Sequence, residues 1–66
     1  MNYTDLGRRI REERQKLNLT QEKLAEAINV STAYIGQIER GRSCPTLDTL
    51  ICIANTLGVS IDYLLR

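Results

Sequence analysis

The chain has no histidine, tryptophan or phenylalanine, a single proline and two cysteines. Without histidine it lacks the side chain that most often moves protons at neutral pH, and Cys44 and Cys52 have no imidazole with which to complete a Cys/His metal set. Two irregularly placed cysteines are too few for a disulfide framework, which points to a reducing, cytoplasmic setting. No apolar run approaches the roughly 20 residues of a membrane-spanning helix, and the N-terminus lacks the basic start and apolar stretch of a signal peptide. With no glycine-rich phosphate loop either, neither an enzyme nor a bound cofactor is expected.

An excess of one charge is also missing. Nine basic and eight acidic residues leave a net charge of +1, which argues against a polycation that coats nucleic acid through many phosphate contacts. The basic residues are unevenly spread. Five lie between Arg8 and Lys16, Arg40 and Arg42 flank a glycine, and Glu22 and Glu26 give the middle an acidic edge. Any nucleic-acid surface must therefore be local. At 66 residues the chain has room for one domain, over residues 1–66, and such a chain buries only about 60% of its unfolded surface, so its core must be small and helical.

What the chain does have is helix punctuation. An apolar residue precedes a hydroxyl residue, with another apolar residue four positions beyond the hydroxyl: Leu19-Thr20 with Leu24, Val30-Ser31 with Ile35, Val59-Ser60 with Leu64. These are N-caps with hydrophobic staples, and Pro45-Thr46 with Leu50 repeats the device. Gly41 and Gly58 stand just past periodic segments, as helix stops. The pattern predicts helices at 3–17, 21–28, 32–40, 47–57 and 61–65, with no strand-like alternation.

Between the second and third helices only Asn29-Val30-Ser31 intervenes. Asn29 tolerates a left-handed backbone, Val30 should point inward, and the small Ala25 suits a close crossing. Short helix, tight turn and short helix describe a helix-turn-helix.

Around helix 32–40, Tyr34, Ile35 and Ile38 share one side, while Thr32, Ala33, Gly36, Gln37 and Arg40 form an arc free of large apolar groups. The first side is expected in the core and the second toward solvent or a ligand. Glycine in a helix interior costs about 1 kcal/mol relative to alanine, so Gly36 points to close approach of DNA, the alternatives being a crossing with a neighbouring helix or mere drift. Gln37 can pair bidentately with an adenine edge, Thr32 can hydrogen-bond a base, and Ala33 offers a methyl to thymine. A merely solvated face remains the other reading.

In the first helix the apolar stripe runs through Tyr3, Leu6, Ile10 and Leu17, with Arg14 beside it. A half-buried arginine needs a partner; Glu39 is the candidate, against a guanidinium that reaches water along its stem. The fourth helix carries a broad stripe of Leu47, Leu50, Ile51, Ile53, Ala54 and Leu57, leaving Cys52 outside it. The fifth supplies Ile61, Tyr63, Leu64 and Leu65.

Thr20-Gln21-Glu22-Lys23-Leu24-Ala25, Val30-Ser31, Tyr34-Ile35-Gly36-Gln37-Ile38-Glu39-Arg40-Gly41, Pro45-Thr46-Leu47 and Leu57-Gly58-Val59-Ser60 together resemble the Cro and phage-repressor (Xre-type) helix-turn-helix family over nearly the whole chain. The resemblance implies an all-α, five-helix, lambda-repressor-like domain that binds double-stranded DNA as a transcriptional regulator, with a repressor expected. It implies that Gln21 contacts a phosphate and braces the start of the recognition helix, which Ser31 opens. Thr32, Ala33 and Gln37 would reach base edges, and Arg40, Arg42 and Ser43 would add contacts after the helix, with Tyr34 at the phosphate rim. It also implies an Arg14–Glu39 pair. The family's usual turn glycine is Asn29 here, and Ala33 offers no hydrogen bond, so direct readout would rest mainly on Thr32, Gln37 and Arg40. Homodimers on palindromic half-sites about 34 Å apart are implied as well; Tyr63 and Leu65 are candidates for the two-fold contact, an exposed chain end being the alternative. Two other functions stay open: an antitoxin that binds both operator DNA and a protein toxin, and a protein-interaction module without DNA binding, against which Gln21, Gln37, Arg40 and Arg42 speak.

Overall fold

Five helices follow one another in the computed structural model, which describes residues 2–66; Met1, counted in the expected 1–66 domain, lies outside the described residues. They are α1 (Tyr3–Lys16), α2 (Gln21–Ile28), α3 (Thr32–Glu39), α4 (Leu47–Leu57) and α5 (Ile61–Leu64). Among the described residues there is no strand, and no helix is long and apolar enough to cross a membrane. The helices begin where the caps predict. Thr20, Ser31, Thr46 and Ser60 each accept the backbone N–H three residues on, and Asn2 Oδ1 accepts from Thr4 and Asp5, two and three residues on. Leu17, Arg40 and Leu65, expected inside helices, are instead the residues that close them.

Four helix ends share one termination. After α1, Leu19 N–H donates to Arg14 O and Asn18 N–H to Gln15 O; after α2, Val30 donates to Ala25 and Asn29 to Glu26. Arg42 to Gln37 with Gly41 to Ile38, and Val59 to Ala54 with Gly58 to Asn55, repeat the pattern. Each needs a left-handed residue to turn the chain, supplied by Asn18 (φ 58°), Asn29 (φ 60°), Gly41 (φ 74°) and Gly58 (φ 71°). In three of the four, a half-buried apolar residue (Leu19, Val30 or Val59) packs on the core immediately before the next cap. Left-handed turn, apolar plug and hydroxyl cap thus reverse the chain in three residues.

The core is built from one stripe of every helix: Leu6 and Ile10 of α1, Leu24 and Ala25 of α2, Ile35 and Ile38 of α3, Leu50, Ile53, Ala54 and Leu57 of α4, and Leu64 of α5. Helix α3 packs on α1 and α2, and α4 packs on α1, α2 and α5. The molecule measures only 26 × 22 × 20 Å, so the stripes are narrower than the sequence pattern suggests. Leu47, 64% exposed, and Ile51, 40% exposed, lie outside the core, as do Tyr3 and Leu17. Leu17 is lost to it because α1 ends at Lys16 and the chain turns there.

Candidate nucleic-acid interface

The short link through Asn29 delivers Ser31 to the start of α3, where its Oγ accepts Tyr34 N–H at 3.1 Å. Ile35 and Ile38 are fully buried and Tyr34 is half-buried against the core. That leaves Thr32, Ala33 and Arg40 exposed and Gln37 half-buried on the opposite side. Beyond the helix, Arg42 is exposed and Ser43 half-buried; their backbone N–H groups both donate to Gln37 O, at 2.9 and 3.3 Å. The loop is therefore folded back onto the end of α3. Arg40 and Arg42 take part in no ion pair among the described residues, so both positive charges at this end are available to an anionic partner.

Gly36 keeps its place on the expected arc but is not open. It is buried, and a Cβ built on it would stand 3.2 Å from Arg40 Nη1 and 3.4 Å from Nη2. The atoms nearest the space that the glycine leaves belong to an arginine one turn further along.

Behind α3 stands a buried polar cluster. Arg14 Nε donates to Glu39 Oε2 at 2.7 Å and Nη2 to Glu39 Oε1 at 3.1 Å, the paired geometry that suits a planar guanidinium and a carboxylate. The third side of the guanidinium donates to Leu19 O at 2.6 Å, in the turn between α1 and α2. Gln21 Nε2 donates to Glu39 Oε1 at 3.0 Å. Arg14 and Glu39 side chains are only 9% and 3% exposed, and among the described residues no buried side-chain polar atom is left without a partner. One carboxylate at the end of α3 is thus held by α1 and by the first residue of α2. The brace from Gln21 therefore acts at the end of α3, where its start was expected.

Sequence reasoning passed over Gly7. It faces the backbone of α3, and a Cβ there would fall on Ile38 O and within 2.5 Å of Glu39 O. Its signal was the same as for Gly36: a glycine inside a helix, where alanine would be preferred. Tyr63 and Leu65, considered for a two-fold contact, both have partners within the chain. The Tyr63 hydroxyl donates to Glu13 Oε2 at 3.1 Å, and Leu65 lines a groove of about 170 Å³ with Tyr3, Cys44, Pro45 and Leu47.

The Helix-turn-helix family model matches residues 10–64. Among curated proteins the chain is similar to the HTH-type transcriptional regulator ImmR of Bacillus subtilis, with 42% identity over 60 residues, covering 91% of this chain and 47% of that protein. It is also 42% identical over 57 residues to the immunity repressor protein of Bacillus phage phi105, covering 86% of this chain and 40% of that one. The chain thus spans about half or less of the length of these relatives. Among solved structures, the P22 c2 repressor in complex with synthetic operator 9T superposes with a TM-score of 0.89 at 38% identity, covering 92% of each chain.

Proposed function

The chain belongs to the Helix-turn-helix family, and from that premise we propose that it is a transcriptional regulator of repressor type that binds double-stranded DNA by laying α3 in the major groove. The observation that carries the reading is the division of α3. One side is sealed into the core, the other presents Thr32, Ala33, Gln37 and Arg40, and the end is locked by the Arg14–Glu39–Gln21 cluster. A reading helix works only if its position is fixed relative to the groups that grip the phosphates. Here the three-way hold on Glu39 fixes α3 to α1 and α2 together.

Within this reading, Thr32 and Gln37 hydrogen-bond to base edges, Ala33 meets a thymine methyl, and Arg42, Ser43, Gln21 and Tyr34 serve the backbone at the rim. Ser31 keeps the first turn of α3 intact. The names of the relatives support regulation, and the operator complex of the P22 c2 repressor supports DNA as the ligand. The protein acts as a homodimer on a palindrome, its two α3 helices entering successive turns of the groove about 34 Å apart, in the cytoplasm where such operators lie.

The test is selection from a pool of random 30-base-pair duplexes at a fixed salt concentration, repeated with Gln37→Ala. A palindrome should be enriched, and the variant should lose preference at one base pair in each half-site. Failure to enrich any sequence would rule out the proposal.

A further inference from the structure

Glycine at position 36 weakens a short helix unless the missing side chain is put to use, and the use is visible. Three guanidinium atoms of Arg40 lie at similar distances from the place of the absent Cβ: Nη1 at 3.2 Å, Nη2 at 3.4 Å and Cζ at 3.6 Å. The head group is therefore folded back along α3 by one turn. Long helical side chains naturally point toward the N-terminus of their helix. A Cβ at position 36 would press on that seat, and the guanidinium would have to give by a few tenths of an ångström.

The seat lies in the middle of the exposed face. At 100° per residue, the order around α3 is Thr32, Gly36, Arg40, Ala33, Gln37, so a guanidinium over Gly36 lies between Thr32 and Ala33. Arg40 has neither an ion pair nor a side-chain hydrogen bond among the described residues, so its donors are unspent. Arg42 differs, standing beyond Gly41 in the loop, outside the helix and without such a seat.

We propose, resting on the DNA-binding reading above, that Arg40 is a base-reading residue for guanine, donating two parallel hydrogen bonds to O6 and N7, and that Gly36 is the positioning residue that makes this possible. A guanidinium is a rigid fork whose specificity depends on where its plane is held. Gly36 holds it against the helix at the centre of the groove-facing arc, where base edges lie; an arginine reaching outward would meet phosphates at the rim.

The experiment repeats the random-duplex selection with wild type, Arg40→Lys, Arg40→Ala and Gly36→Ala, each checked for folding by circular dichroism. Arg40 is exposed, and the atoms nearest an alanine Cβ at position 36 are the far end of a movable side chain, so all variants should fold. The wild-type site should contain one G·C pair per half-site whose preference falls at least about fivefold in Arg40→Ala, with Arg40→Lys, which keeps donors but loses the rigid fork, in between. Gly36→Ala should lower the same preference while leaving those at the Gln37-dependent pair unchanged. Arg40→Ala keeping the guanine preference would overturn the proposal. So would an Arg40→Ala variant that weakens all sequences alike and lowers the salt slope by about 1, the signature of a phosphate contact. An unchanged guanine preference in Gly36→Ala would refute the positioning role. A wild-type chain that enriches nothing overturns the DNA-binding reading itself, a result distinct from all of these.

Discussion

Gly7 of α1 lies so close to Glu39 of α3 that a Cβ on Gly7 would come within 2.5 Å of the Glu39 carbonyl oxygen. Helix α1 therefore touches the end of α3 with bare backbone, and the Arg14–Glu39 pair closes the same junction from one side.

Gly7→Ala should destabilise the fold although alanine is the better helix former. The helix gain is at most about 1 kcal/mol, while the new methyl meets two backbone carbonyls, Ile38 and Glu39, which cannot rotate away. Overpacking of this kind costs about 1–3 kcal/mol, and relief requires α1 and α3 to separate. Urea unfolding should show a lower midpoint, and any selective DNA binding should fall with it; a midpoint at or above wild type would contradict the crossing.

Arg14 and Glu39 should behave as a unit. Removing one partner leaves a buried charge without its counter-ion, held only by Gln21 in the case of Glu39 or by Leu19 O in the case of Arg14, at about 3–5 kcal/mol, whereas replacing both with apolar residues is often close to neutral. Arg14→Leu and Glu39→Leu should each lower stability strongly, and the double variant should recover much of the loss. DNA affinity in the double variant should remain reduced, because Gln21 then has no carboxylate to grip at the end of α3. A double-mutant cycle with additive losses would show that the two side chains are independent.

Much of this architecture was readable because it is local. An N-cap hydroxyl and its staple are fixed offsets along the chain, so Thr20, Ser31, Thr46 and Ser60 mark helix starts without knowledge of the fold. The partnership of Arg14 with Glu39 could be inferred because a charge beside an apolar stripe demands a partner. Features set by distance across the fold were less readable. Gly7 is defined by what crosses it, and Gly36 by a side chain that returns from a turn away, whereas a helical wheel counts only Cβ directions. Leu47 and Ile51 fall on the expected stripe of α4, but periodicity does not tell how much neighbouring surface a chain of this size can offer.

Asn18 and Asn29 are the left-handed residues of turns that elsewhere use Gly41 and Gly58. A left-handed backbone costs most residues about 1–2 kcal/mol, asparagine less and glycine nothing. Asn18→Gly and Asn29→Gly should therefore leave the melting temperature unchanged or raise it slightly. Asn29→Val should lower it by several degrees, since about 1 kcal/mol shifts a domain of this size by 4–8 °C. A valine variant as stable as the glycine one would mean that the turn can be made in another way.

The junction of α5 with α1 should be sensitive to acid. Glu13 accepts from Lys16 Nζ at 2.8 Å and from the Tyr63 hydroxyl at 3.1 Å. The Lys16 ammonium is the main influence holding the carboxyl below its ordinary pKa, with Tyr63 helping and desolvation opposing. A group whose pKa is depressed by folding contributes stability above its unfolded pKa and loses it as the pH falls through the folded value. Wild type should thus melt above Glu13→Gln at neutral pH, and the gap should close between about pH 5 and pH 3. Because Tyr63 links Glu13 to α5 while Lys16 lies on α1 itself, Tyr63→Phe should narrow the gap without abolishing it. A gap that stays constant down to about pH 3 would mean that the Glu13 carboxylate contributes nothing to the folded state.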